Sequence, residues 1–321
     1  FTNVDVDLQE TDIANQVDIN IQVKETLTGD FAFGVGYDSV EKEQISLGLN
    51  EKNFLGKGLK TKFNITTSSK STKYDMGITE PYFQDKPLLL SGNIFDQTNE
   101  RGDREIEKTG MSFAFGFDVK EYFNKFSYSF VESKTTNISS SSASSLSGEE
   151  GIEVQTSSLG YSFLNDTRDN YFNPKSGHRF LFDSSVAGLG GDARFAKIQT
   201  KYKSYTPFSY GEHVLSLSGN IGFTSPLDDE KITSSNRFYF NSKQVRGFDS
   251  GGIGPRDTGN DHAVGGNNYY SGTVEFRTKS FMPEDTGVEW SVYSDFGSLW
   301  DTDYPNNVRG VNQVIFSEFL T

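Results

Sequence analysis

Phe31-Ala32-Phe33-Gly34-Val35-Gly36-Tyr37 places a ring or a branched aliphatic at every odd position and nothing larger than a methyl group at every even one. Side chains repeat their direction every two residues only along an extended strand, so the stretch reads as a strand with one oily face and one bare face. The pattern recurs along the chain. Ile45, Leu47 and Leu49 alternate with Ser46 and Gly48; Met111, Phe113, Phe115 and Phe117 alternate with Ser112, Ala114 and Gly116. Leu159, Tyr161 and Phe163 enclose Gly160 and Ser162 in the same way. Lys197-Ile198-Gln199-Thr200-Lys201-Tyr202-Lys203 shows the other face at its most polar, with a cationic stripe on the odd positions.

The 321 residues include 28 Phe, 15 Tyr and 32 Gly but are only 34% hydrophobic, so the rings must sit on single faces of otherwise polar strands. A soluble sandwich shares the period of two, yet its apolar faces are mostly Val, Ile and Leu, and its polar faces need less glycine. A barrel in lipid inverts the arrangement, apolar outside and hydrated inside, and the sequence fits that architecture better. Apolar runs stop at three residues, as in Leu88-Leu89-Leu90, far short of the ~20 that a transmembrane helix needs. A net charge of −14 argues against nucleic acid as a partner. With no cysteine, thiolate chemistry is excluded, and His178, His213 and His262 match no zinc spacing, so no metal or other cofactor is expected. Gly251-Gly252-Ile253-Gly254 lacks the Lys-Ser/Thr of a phosphate loop, and no nucleophile–base–orienter set stands out, so the chain does not read as an enzyme.

Connectors add a second expectation. Short links at Lys52–Gly58, Pro81–Pro87 and Val119–Asn124 alternate with longer polar ones at Asp96–Lys108, Glu132–Val154 and Thr224–Asn268, with Asp38–Glu43 a short exception. Short turns on one rim and long loops on the other are the outer-membrane pattern. Residues 1–28 differ: Val4–Leu8 and Val17–Val23 read as two acidic alternating strands without the aromatic band, the end of a water-soluble α+β module.

The longest connector, 224–268, contains Val245-Arg246-Gly247-Phe248, Gly252-Ile253-Gly254-Pro255-Arg256-Asp257 and Gly265-Gly266-Asn267. A loop of this length without helix is functional or disordered, and its Gly, Pro, Phe and Tyr argue for a folded one. Gly247 lets Arg246 and Phe248 point different ways. An arginine folded back into a barrel needs acidic partners, because an unpaired buried charge is costly. Strand parity offers them. If Val274 and Phe276 face lipid, Glu275 faces the lumen; if Trp290, Val292 and Phe296 face lipid, Tyr293 and Asp295 face inward. Arg246 is therefore expected to pair with Glu275 and Asp295; the alternative is a solvated arginine on a surface loop.

The Val-Arg-Gly-Phe tetrapeptide, the following Gly-Ile-Gly-Pro-Arg-Asp and Ala263-Val264-Gly265-Gly266-Asn267 closely resemble the sixth extracellular loop of the BamA family of outer-membrane β-barrel assembly proteins. Val23-Lys24-Glu25 through Tyr37 resembles that family's junction between its last POTRA domain and first strand. Asn53–Gly58, Thr79–Phe83 and Asp166-Thr167-Arg168-Asp169 resemble its periplasmic turns, and Asp295–Asp301 a late strand. The resemblance implies an all-β, transmembrane, antiparallel outer-membrane β-barrel at 29–321, sixteen-stranded in the family, preceded at 1–28 by the end of a periplasmic α+β POTRA domain. It maps the family's lumenal arginine to Arg246, with Val245, Gly247 and Phe248 around it and Glu275 and Asp295 as partners. It implies a lateral seam at the first strand, Phe31, Ala32, Phe33, Gly34, Val35, Gly36 and Tyr37, where unfolded outer-membrane β-barrel proteins would pair. Accessory lipoproteins and the lipid bilayer are the other implied partners, and the bacterial outer membrane the implied location. About thirteen strands are counted through Trp300, with one more at Val311–Phe319, so the C-terminal strands are expected to be incomplete. A TamA-like or two-partner secretion pore of the same superfamily, and a passive porin, remain as alternative functions.

Overall fold

The computed structural model describes residues 3–10, 16–38, 41–101, 104–141, 146, 148–209, 212–228, 230–241, 243–279, 288–303, 308–309 and 315–320. Two strands, β1 (Asn3–Glu10) and β2 (Val17–Lys24), pair antiparallel as a small sheet of their own. The remaining long strands are β3 (Gly29–Asp38), β4 (Lys42–Phe54), β5 (Leu59–Ser68), β6 (Ser71–Glu80), β7 (Leu88–Arg101), β8 (Arg104–Val119), β9 (Tyr122–Thr136), β10 (Glu153–Asp166), β11 (Gly177–Gly191), β12 (Phe195–Phe208) and β13 (His213–Pro226). After the long loop follow β15 (Asn268–Lys279), β16 (Glu289–Trp300) and β18 (Ile315–Leu320). Each pairs antiparallel with the next in one fourteen-stranded sheet running from β3 to β18. Two short pieces, β14 (Arg256–Asp257) and β17 (Val308–Arg309), pair with each other outside that sheet.

The ring-bearing positions face outward. Phe31 is 66% exposed and Phe113 57%, and Phe33, Phe126 and Ile221 point the same way, as an apolar exterior bathed in hydrocarbon requires. The small and polar partners line the other side, including Lys62 on Asp75 (2.6 Å) and Ser162 on Asp183 (2.5 Å). No helix among the described residues is long and apolar enough to cross a membrane.

The connectors correct the sequence reading. Asp96–Lys108 is not a long loop: β7 and β8 stay paired from Leu88↔Phe117 to Arg101↔Arg104. In the same way, β9 and β10 extend to Lys134↔Glu153, shortening the loop read as Glu132–Val154. Both faces of a strand meet water above the hydrocarbon, so the ladder continues while the hydrophobic alternation that would reveal it stops. The 69–70 and 192–194 connectors on this rim are likewise short. On the other rim, the turn after β4 is set by Gly56 and Gly58, at φ +69° and +72°, while Asn53 Oδ1 accepts the Gly58 amide at 2.7 Å.

Candidate functional site

Residues 227–267 leave β13, fold back and meet three separate walls of the sheet. From β8, the buried Arg104 guanidinium donates to the Ala263 carbonyl at 2.6 Å and to the Tyr239 hydroxyl at 3.1 Å. Lys108, two repeats of the pleat further along β8, donates to the Ser235 carbonyl at 2.6 Å. From β12, Lys197 donates to the Asn236 carbonyl at 2.9 Å and lies 4.1 Å over the Phe238 ring. From β16, Asp295 takes Arg246. Contacts from strands so far apart in the pairing order require the sheet to curl around the loop.

Arg246 is the most heavily bonded of these residues. Its Nε and Nη2 donate to the two oxygens of Asp295, both at 2.8 Å, a bidentate fork on a carboxylate that is 1% exposed. Its own backbone amide donates to Asp295 Oδ2 at 3.0 Å, and Nη1 reaches Glu275 Oε2 at 3.4 Å. The guanidinium lies 3.2 Å from the centroid of the Tyr293 ring, so one face of the cation is covered by an aromatic side chain of the same strand as Asp295. Val245, on one side of Arg246, is buried; Gly247, on the other, takes φ +86°, and Phe248 packs at the margin of the cluster Val245 enters.

That cluster is the dry part of the interior. Phe238, Phe240, Val245 and Ile253 from the loop close on Tyr269 of β15 and Leu299 of β16. The Phe238 and Phe240 rings meet Tyr269 edge-on, with centroids at 4.8 and 5.7 Å. Gly254, at φ +112°, lies against Leu299: a Cβ there would stand 2.5 Å from Leu299 Cδ2. The sequence reading expects a hydrated interior partly filled by a folded-back loop; where the loop meets β15 and β16 it does so through buried apolar side chains. Arg237 stitches the loop to itself, donating from Nε and Nη2 to the Ile232 carbonyl and from Nη1 to that of Val264. Glu149, from the connector after β9, accepts the Ser234 amide and hydroxyl.

At the opposite rim, the 167–176 turn reaches across the mouth. Arg277, on the inward face of β15, donates to the Pro174 carbonyl at 2.7 Å and stands 3.1 Å from Glu289, which also accepts from Asn173 at 3.3 Å. Asp169 stiffens the turn by accepting the Ser176 and Lys175 amides, which hold its carboxyl below the usual range.

The structure thus brings together Val245, Arg246, Gly247, Phe248, Glu275 and Asp295. The first-strand residues Phe31–Tyr37 lie in β3, at the far end of the pairing order from β16 and β18, with β4 as their partner. Sequence reading puts Lys197 on the polar face without a partner and passes over Arg104, Lys108 and Arg237; each of the four donates to a main-chain carbonyl of the loop.

Residues 53–315 match the Omp85 superfamily domain. The outer membrane protein assembly factor BamA of Neorickettsia risticii (strain Illinois) is 25% identical over 307 residues, covering 94% of this chain and 41% of that protein. The sorting and assembly machinery component 50 homolog of Mus musculus is 26% identical over 329 residues, covering 99% of this chain and 67% of that one. The chain therefore spans about two fifths of the length of the bacterial relative. Among solved structures, BamA from Haemophilus ducreyi lacking POTRA domains 1–3 superposes with a TM-score of 0.84 at 22% identity, over 98% of this chain and 68% of that one. With most of its length inside that domain, the chain belongs to the Omp85 superfamily as a BamA-like outer-membrane β-barrel.

Proposed function

We propose that this chain is the membrane-embedded part of a β-barrel assembly factor, which folds and inserts unfolded outer-membrane β-barrel proteins through a lateral seam at β3. The observation that carries the reading is the loop. A lumen filled by 227–267 and held by Arg246 on Asp295 is a poor conduit for a passive porin, which leaves the sheet edge and the surrounding bilayer as the working surfaces. An edge strand offers unpaired amides and carbonyls to an incoming strand, and Phe31–Tyr37, with Ala32, Gly34 and Gly36 on its inner face, is the first strand of the sheet. In this reading residues 1–28 are the end of the last POTRA domain and 29–321 the barrel. Accessory lipoproteins dock outside it. The catalysis is templating, with no covalent step.

The test is site-specific photocrosslinking in cells that rely on the full-length protein. A benzophenone side chain at Phe33 on β3 is expected to capture newly made outer-membrane barrels, and one at Ile221 on β13 to capture none. Equal capture at both positions, or capture of exported proteins that never enter the membrane, would overturn the seam and favour a translocation pore.

A further inference from the structure

The lipid-facing wall of β5–β10 is not evenly covered. Register aligns its outward residues in rows: Glu80, Leu90, Phe115 and Phe126; then Ile78, Gly92, Phe113 and Tyr128; then Met76, Ile94, Met111 and Phe130. Gly92 is the one position in the middle row without a side chain. A Cβ there would meet Phe113 at 3.7 Å and Ile78 at 3.8 Å, ordinary contact distances, so the walls stand and the floor between them is bare. The result is a groove of about 670 Å³ lined by Ile78, Leu90, Phe113, Phe126 and Leu159, continued upward by a second of about 550 Å³ around Met76, Ile94 and Met111. From Leu90 to Asp96 the track covers six residue steps of β7, roughly 20 Å of strand.

Carboxylates bound the track at both ends. Above, Asp96 is engaged by the Thr109 hydroxyl at 2.5 Å. Below, Glu80 is half-buried where β6 ends and lines the groove itself; one oxygen accepts the Tyr82 amide at 2.9 Å, and among the described residues no cationic side chain pairs with it. An apolar channel somewhat longer than the ~15 Å hydrocarbon depth of one leaflet, ending on an anion at the short-turn rim, complements a long acyl chain carrying a cation at its head.

We propose that this wall seats one phospholipid with an ammonium headgroup, its acyl chain over Gly92 and its ammonium on Glu80. The seat lies on the exterior of the barrel and is independent of the assembly role.

Native mass spectrometry of the purified full chain in detergent tests this, with phosphatidylethanolamine and phosphatidylglycerol of identical acyl chains as probes. The expected result is one retained lipid, with ethanolamine preferred about two- to fivefold, the range of one exposed ion pair. Glu80→Gln should abolish that preference while both lipids still bind. Gly92→Phe should release both; Gly219→Phe, on the opposite wall where nothing stands within 4 Å of a Cβ, should release neither. Heat-modifiable gel mobility reports folding, and Gly92→Leu replaces the bulkier variant if that one fails to fold. Equal retention of the two lipids by the unmodified chain, an unchanged preference in Glu80→Gln, or retention in the folded Gly92 variant would each overturn the seat.

Discussion

Arg246 shows how much one side chain can be asked to hold. Truncating it strands Asp295, a carboxylate sealed from water, so Arg246→Ala should cost about 3–5 kcal/mol of loop anchoring. The check is proteolysis: the 227–267 loop should be cut in the intact, folded barrel of the variant and resist in the parent. Tyr293 covers the same cation, and Tyr293→Leu, which keeps bulk and loses the ring, should give a smaller loosening of about 0.5–2 kcal/mol in the same assay. Gly254→Ala should be costlier than its size implies, about 1–3 kcal/mol, because φ +112° is closed to alanine and Leu299 blocks the methyl. Parity makes Glu275 and Asp295 legible in the sequence: two lipid-facing strands, read alternately, single out the inward acids. The cations on the other walls are not legible in this way. Arg104, Lys108 and Lys197 bind loop carbonyls, as Arg237 does within the loop, and a carbonyl leaves no residue-type signature.

Among the elements, the strands were the readable part and their ends were not. Wherever one face touches hydrocarbon the period of two is plain, and positions read as outward, such as Phe113 and Val274, are exposed. Where β7, β8, β9 and β10 rise above the apolar band, charged residues such as Glu107 and Lys134 pair in register but alternate with nothing greasy, so extension passes for loop. Of the 167–176 turn, only Asp166–Asp169 is marked in the sequence, by its resemblance to a periplasmic turn; the reach to β15 and β16 depends on curvature, which a linear pattern does not encode. Arg277→Ala removes the donor on Pro174 and the partner of Glu289, and hydrogen exchange of the turn amides should quicken without loss of the β10–β11 ladder. The turn is also acid-sensitive. Asp169 has a depressed folded-state pKa, so its contribution is present above about pH 4 and is lost as pH falls through the lowered value. Amide exchange in 169–176 should accelerate below that range, and Asp169→Asn should make it less dependent on pH.

At the scale of the whole molecule, the outward rings, the bare inner faces and the folded-back loop describe a cylinder stoppered at one end by 227–267 and bridged at the other by 167–176. Deleting 227–267 should convert a nearly silent protein into one with steady conductance in planar bilayers, and adding Arg277→Ala should raise that conductance further. If the shortened, folded barrel stays silent, the loop is not what closes the lumen. The stopper's attachments also join distant parts of the chain. Its core is completed by Tyr269 and Leu299, which arrive with β15 and β16, while Arg104 and Lys197 grip it from strands made earlier. A plug held from both the early and the late wall tethers the two, so losing its grip on β8 and β12 should also relax the restraint it places on β15 and β16.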